Sequence, residues 1–239
     1  LDEDFCRYAD SFNDELIRES EDIAIVWGNI RYRNRRRFNA AFFAYQKKTH
    51  MRVKQNELLP YIQDALYFEE NPINSAIEYK EDMVFALNFG DEIQLADMNI
   101  NLDARPYDMQ KAYHPHGNVI YVNACGMQNM DHSVMLMEGG SCVLRNGKCL
   151  YQAPYFQEDY ALVDLASQKE DKAKPRSLLA ALTMGIQQFD AQVFAGKLPW
   201  IVGMSGGLDS SVTAALLVYA LGKQRVYGYN LATRHNRDI

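Results

Sequence analysis

A chain of 239 residues with 48% hydrophobic residues, 23% charged residues and a net charge of −6 can bury a core as one large domain or two smaller ones. That charge gives no attraction to nucleic acid or anionic membranes, no apolar run approaches the ~20 residues that span a bilayer, and the acidic start lacks the basic-then-apolar order of a signal peptide. The four cysteines, Cys6, Cys125, Cys142 and Cys149, show no CxxC spacing, which argues against a zinc site or disulfide scaffold and fits reduced thiols in the cytoplasm.

In chain order, Asp4 to Glu21 has helical spacing, and Asp22 to Gly28 (DIAIVWG) reads as a short buried strand. Arg31, Arg33, Arg35, Arg36 and Arg37 follow, either a solvated connection between strands or a patch for phosphate or an acidic partner. Strands are expected at Phe38 to Gln46 and Thr49 to Val53, with Lys47 and Lys48 at the turn between them. Met83 to Phe89, Met98 to Leu102 and Asn118 to Asn123 are further strands. His114-Pro115-His116 reads as a loop in preference to a metal site, and the segment holding Met127, Met130, Met135 and Met137 as a loop with a short helix. Ser141 to Leu144 and Lys148 to Tyr151 flank Asn146-Gly147, the signature of a hairpin, because these residues tolerate positive φ. Ala166 to Arg176 (ASQKEDKAKPR) has a linker's composition, and Ser177 to Phe194 has helical spacing. The domain division is therefore 1–165, a linker at 166–176, and 177–239.

Trp200 to Met204 is a strand and runs directly into Ser205-Gly206-Gly207-Leu208-Asp209-Ser210-Ser211, with a helix from Val212 to Leu221, a C-cap at Gly222 and a second strand from Arg225 to Asn230. The unit is βαβ, with a glycine-rich loop where unpaired helix-start amides and the helix dipole favour an anion. Gly206 and Gly207 admit a phosphate close to the backbone, and the three serines add hydroxyl donors. Asp209 either caps the helix or holds a Mg²⁺ that bridges to phosphates. The loop lacks the lysine of a GxxxxGK[ST] motif.

SGGLDSS resembles the PP-loop of the N-type ATP pyrophosphatases, in which the loop grips pyrophosphate released as ATP adenylates a carboxylate or carbonyl. Upstream, VKQNELLPY (Val53 to Tyr61) with LYF (Leu66 to Phe68), FGDEI (Phe89 to Ile93), ADMNINLDARPYD (Ala96 to Asp108), VIYVNACGMQN and MEGGSCVL resemble successive segments of a nitrilase-type amidase domain. In this order, the two halves resemble the glutamine-dependent NAD synthetases. The resemblance implies an α/β fold: a partial αββα nitrilase-like sandwich, then the first βαβ unit of a doubly wound parallel PP-loop sheet. It implies ATP and Mg²⁺ as cofactors, deamido-NAD and glutamine or ammonia as substrates, no nucleic acid or membrane, and a homo-oligomeric full-length protein. The family's catalytic glutamate and the rest of its synthetase sheet fall outside this sequence.

In that family a Cys thiolate attacks the glutamine amide, with a Glu as base and a Lys stabilising the oxyanion. Lys54 falls at the lysine position, although Asn56 and Glu57 disturb the motif, and the alternative is a solvated strand-end lysine. The nucleophile position reads Gly90, followed by Asp91, and Arg105 stands where the family has a serine of the glutamine pocket. Cys125 lies on a later segment and reads as packing, as do Cys142 and Cys149. The expectation is a silent glutaminase half attached to an NAD-forming ligase. The alternatives are another PP-loop amidotransferase or a catalytically silent assembly module. Arg234 either lies near the nucleotide or is a surface residue.

Overall fold

The computed structural model describes residues 2–55, 58–59, 62–70, 77–80, 83–130 and 133–230, so Arg234 lies outside the described residues, as do Asn56 and Glu57. Helix α1 (Glu3–Glu19) starts at an Asp2 cap whose carboxylate accepts from the amides of Asp4 and Phe5. Strands β1 (Ile25–Arg33), β2 (Arg36–Tyr45) and β3 (Lys48–Val53) form one antiparallel sheet. A small pair, β4 (Leu58–Leu59) and β5 (Ile62–Gln63), precedes a 3₁₀ turn at Asp64–Leu66. A six-stranded sheet then takes β6 (Ile77–Lys80), β7 (Met83–Phe89), β8 (Met98–Asp103), β9 (Val119–Asn123), β12 (Cys142–Arg145) and β13 (Lys148–Gln152) in the order β13-β12-β9-β8-β7-β6, while β10 (Cys125–Met130) and β11 (Ser133–Glu138) form a separate hairpin.

The expected strand at Asp22 to Gly28 is longer than read and only half-buried, running to Arg33. Three hairpins turn on two residues with positive φ: Asn34 and Arg35, Gln46 and Lys47, and Asn146 and Gly147. Only the third carries the residues that normally adopt this geometry, so the second turn lies one residue earlier than expected, at Gln46-Lys47. The arginine cluster is not uniformly solvated. Arg31 pairs with Asp10 at 3.1 Å with both side chains largely buried, and lies over the Phe42 ring, while Arg33, Arg35 and Arg36 stay exposed at the hairpin tip.

Ala41 and Phe43 on β2 face Leu87 and Phe89 on β7 and Ile100 on β8, the core between the two sheets. The far side of the first sheet is covered by α1, whose buried Asn13 takes the Trp27 indole N–H (2.8 Å) and donates to Ile30 O (3.0 Å). Among the described residues, no helix packs on the outer side of the six-stranded sheet. β7, β8 and β9 are parallel, a connection that normally takes a crossover of about a dozen residues or more through a helix. Here 90–97 and 104–118 return as extended straps. A strap on a dry sheet face must satisfy its own backbone, and buried Asn88, Asn99 and Asn101 do so. Asn101 Nδ2 donates to Gly90 O (3.0 Å) and Glu92 O (2.7 Å), the Gln94 amide donates to Asn99 Oδ1 (2.9 Å), and Gln94 Nε2 donates to Asn88 Oδ1 (2.7 Å).

The methionine segment is the β10–β11 hairpin, correcting the reading as loop and short helix. Its apolar residues are sparse and unpatterned along the chain because their partner is remote in sequence. α2 (Leu178–Phe194) packs Ala181 and Met184 against Phe156, Tyr107 and Leu136, and its Gln188 side chain accepts from the Met127 amide. The 166–176 stretch has no regular structure but is tied down at its end. Arg176 Nε donates to the buried Glu138 carboxylate at 2.6 Å, and its guanidinium lies 4.5 Å over Tyr107. β14 (Trp200–Gly203), α3 (Leu208–Leu221) and β15 (Val226–Tyr229) complete the βαβ unit, with β14 and β15 parallel as the sequence reading expects. No helix among the described residues is long and apolar enough to cross a membrane.

Candidate functional site

The glycine-rich loop leaves the carboxyl end of β14 and enters α3. The helix begins at Leu208, not at Val212, so Asp209, Ser210 and Ser211 belong to its first turn. The serines account for the difference: their hydroxyls donate to Gly207 O (3.2 Å from Ser210, 2.9 Å from Ser211) and anchor the turn. Gly206 has φ +80, which a side chain rarely adopts, and Gly207 is the N-cap, with no side chain closing the helix end.

Ser205 N donates to Ser210 Oγ and Gly207 N to Ser205 Oγ, both at 3.3 Å, long contacts that hold the loop's shape. Among the described residues, the amides of Gly206, Leu208, Asp209 and Ser210 have no hydrogen-bond partner. The loop is exposed, including the Leu208 side chain at 77%. Exposed unpaired amides at a helix start, where the dipole is positive, make an anion-binding cradle.

Asp209 is the second residue of α3, so it does not cap the helix. Its carboxylate is exposed and makes no hydrogen bond among the described residues. No group of three or more His, Cys, Asp or Glu there could hold a metal, and His114 and His116 lie in a loop. A single exposed carboxylate beside these amides could hold Mg²⁺ only with waters or ligand oxygens completing its shell.

β15 lies beside β14, and Tyr229 O accepts from the Met204 amide (2.7 Å), fixing the strand end from which the loop departs. At the opposite end, buried Asp190 accepts from Arg225 Nη1 (2.6 Å), Arg225 Nη2 (2.8 Å) and Trp200 Nε1 (2.8 Å). Arg225 and Trp200, its main partners, hold that carboxyl below its usual pKa. This clamp joins α2 to both strands.

In the first half, the turn after β7 places Gly90 at φ +57, with its amide donating to Leu102 O (3.1 Å). A Cβ built there would lie 3.7 Å from Arg105 Nη2, so Gly90 and Arg105 do come together. Arg105 Nε donates to Asp103 Oδ2 (2.9 Å), which also accepts from Tyr121 OH (2.8 Å), and its guanidinium stacks 4.2 Å from the Tyr113 ring. Burial opposes the Arg105 charge, but Asp103 and Asp91 outweigh it and the group's pKa is raised. Burial and the neighbouring Asp91 push the Tyr113 hydroxyl up to about 12.

Lys54 is not a solvated strand-end residue. It lies largely buried, with Nζ 3.0 Å from Asp64 Oδ2. Three of the thiols behave as packing groups: burial pushes Cys142 up to about 12 and raises Cys125 and Cys149 as well, so none of these three is poised as a thiolate. Asp64, Asp103, Tyr113 and Tyr121 escaped the sequence reading. The asparagines at 99 and 101 left a readable signal, polar residues on alternate positions of an otherwise apolar strand.

Residues 179–238 match the family model described as NAD synthase. The chain is 32% identical over 167 residues to a glutamine-dependent NAD(+) synthetase of Synechocystis sp., covering 61% of this chain and 29% of that protein. It is 48% identical over 58 residues to an NH(3)-dependent NAD(+) synthetase of Pyrobaculum aerophilum, 24% of this chain and 20% of that one. A solved glutamine-dependent NAD+ synthetase from Acinetobacter baumannii, in complex with ADP, superposes with a TM-score of 0.76 at 22% identity, covering 98% of this chain and 51% of that one. The resemblance read from the sequence is borne out, and so is the mixed α/β fold. The aligned stretches span less than a third of those two curated relatives, and the chain spans about half of the solved one.

Proposed function

We propose that this chain belongs to an ATP-dependent NAD synthetase, contributing a phosphate-gripping loop and a nitrilase-like half that does not cut glutamine. The observation that carries the reading is the set of unpaired amides at Gly206, Leu208, Asp209 and Ser210, at the end of a parallel strand and the start of a helix. In this reading ATP adenylates the carboxylate of deamido-NAD, pyrophosphate departs, and ammonia displaces AMP to give NAD. The loop's part is electrostatic: fixed N–H dipoles face the charge that grows on the leaving pyrophosphate and cost little reorganisation. Ser205, Ser210 and Ser211 orient the loop, their hydroxyls joined to one another and to Gly207 O. Asp209 would hold Mg²⁺, which offsets phosphate charge when bound.

The glutaminase half is silent because Gly90 offers no nucleophile, and Arg105, fixed by Asp103, stands over the position where one would sit. Nitrogen then arrives as ammonia or from another protein's glutaminase. The test is isothermal titration of the full chain with pyrophosphate and with ATP, with and without Mg²⁺. Pyrophosphate should bind, and Asp209→Ala should remove the Mg²⁺ enhancement while leaving a weaker metal-independent binding. Absence of pyrophosphate binding to a folded wild-type chain would overturn the loop assignment. In the complete protein, AMP release should require deamido-NAD.

A further inference from the structure

A small cavity between the 104–118 strap, the β11–β12 corner and β13 belongs to neither of these sites. Its volume is about 50 Å³, room for one water-sized occupant, and its walls include Tyr113, Tyr121, Glu138, Gly140, Gln152 and Tyr155. Two acceptor oxygens of these residues have no partner. Glu138 is buried (3% exposed) and receives Arg176 Nε on Oε2, which leaves Oε1 without a hydrogen bond among the described residues. Gln152 Nε2 donates to the carbonyls of Gly140 (2.9 Å), Ser141 (3.5 Å) and Ala153 (3.2 Å). Those three acceptors fix which way the amide points, and Gln152 Oε1 makes no hydrogen bond there. Gly139 and Gly140 both have positive φ, +67 and +69, and a Cβ on Gly140 would lie 2.3 Å from Tyr155 Cε1. The glycine pair lets the Tyr155 ring close the cavity against bare backbone.

The charges acting on the walls sum to an excess of one negative. Three carboxylates, Glu138, Asp103 and Asp91, stand against two guanidiniums, Arg176 and Arg105. Arg176 is committed to Glu138 Oε2 and to the carbonyls of Asp108 and Lys111, and Arg105 to Asp103 and the Tyr113 ring. His114, at the rim, is exposed. Burial and Asp91 push the Tyr113 hydroxyl up to about 12, and burial with Glu138 raises that of Tyr155, so both stay neutral. Unpartnered acceptors at a buried, net negative cavity call for a cation.

We propose that this cavity holds a dehydrated monovalent metal cation of potassium size. Glu138 Oε1 supplies the charge, Gln152 Oε1 and the neighbouring carbonyl and hydroxyl oxygens complete the shell, and the tyrosine rings favour a cation over an anion. A divalent ion is disfavoured. Among the described residues no group of three or more His, Cys, Asp or Glu stands here, Arg176 already offsets part of the Glu138 charge, and Mg²⁺ keeps several waters for which the cavity has no room. Sodium holds its water more tightly than potassium and gains less from one carboxylate and neutral oxygens. The bound ion ties β11 and β13 to the strap, beside the Arg176 contact that joins the two halves.

Thermal melts of the full chain in KCl, NaCl or tetramethylammonium chloride, each at about 100 mM, test this. Potassium should raise the melting temperature by about 3–6 °C over the other two, the shift expected at roughly ten times the dissociation constant. Glu138→Gln keeps the side chain's shape and should abolish the difference. Should that variant fail to fold, Tyr155→Phe removes one hydroxyl, retains the ring on Gly140, and should raise the KCl concentration at half-effect severalfold. Crystals soaked in thallium(I), an ion of potassium's size, should show an anomalous peak between Glu138 Oε1 and Gln152 Oε1. Equal melting in all three salts, or an anomalous map empty at that position, means that water alone fills the cavity and overturns the site. A potassium shift undiminished in a folded Glu138→Gln chain, or in Tyr155→Phe, places the ion elsewhere and overturns it as well.

Discussion

Replacing Arg176 by alanine probes how the two halves are joined. Its guanidinium donates to Glu138 Oε2 at 2.6 Å and to the carbonyls of Asp108 and Lys111, the latter at 3.1 Å, and it covers Tyr107. Glu138 is 3% exposed, so the variant leaves a carboxylate buried with its ion-pair partner gone, a change that costs about 3–5 kcal/mol. At roughly 2–4 °C per kcal/mol for a chain of this size, the melting temperature should fall by about 6–20 °C at pH 8. The loss should depend on pH in a set direction. Burial already raises the Glu138 pKa above the usual carboxylate value, and Arg176 opposes that rise. Removing Arg176 raises it further, and a raised folded-state pKa stabilises below the unfolded value and loses that contribution as pH rises through the folded one. The variant should therefore be closest to wild type within the usual carboxylate range and fall away as pH rises above it toward pH 8. Thermal melts of both proteins across that range would check it. A deficit below about 2 °C at pH 8, or one that does not change with pH, would refute the reasoning.

Two other outcomes follow from the first half. Gly90→Cys should not create glutaminase activity, because the new thiol would sit at φ +57 against Arg105, whose guanidinium is fixed by Asp103; glutamate release above the wild-type background would contradict this. Cys142, with its pKa pushed up to about 12 by burial, should resist alkylation in the folded chain at pH 8 and react only on denaturation. Mass spectrometry of singly labelled peptides would read this directly, and rapid native labelling of Cys142 would contradict it.

What the sequence determined by itself was the local and the chemically constrained. SGGLDSS could be read as an anion-binding loop because small residues and hydroxyls stand in immediate succession between a strand and a helix, so all of its signal is contiguous. The Asn146-Gly147 hairpin and the α2 helix were legible for the same reason, a dihedral preference and a short periodicity. Gly90 could be proposed as a lost nucleophile because a motif position names its chemistry. The tertiary structure decided whatever depends on partners distant in the chain. The methionine segment became a hairpin because α2, some fifty residues later, covers it. Arg31 is a buried partner while Arg33 and Arg35 are not, a difference set by Asp10 on another element, since Arg31 and Arg33 share one face of β1. The straps 90–97 and 104–118 replace crossover helices only because buried asparagines stand beneath the first, and Lys54 acquires Asp64 only when the 3₁₀ turn brings it near. Burial and pairing are properties of the assembled chain, and a one-dimensional pattern records only one side of each contact.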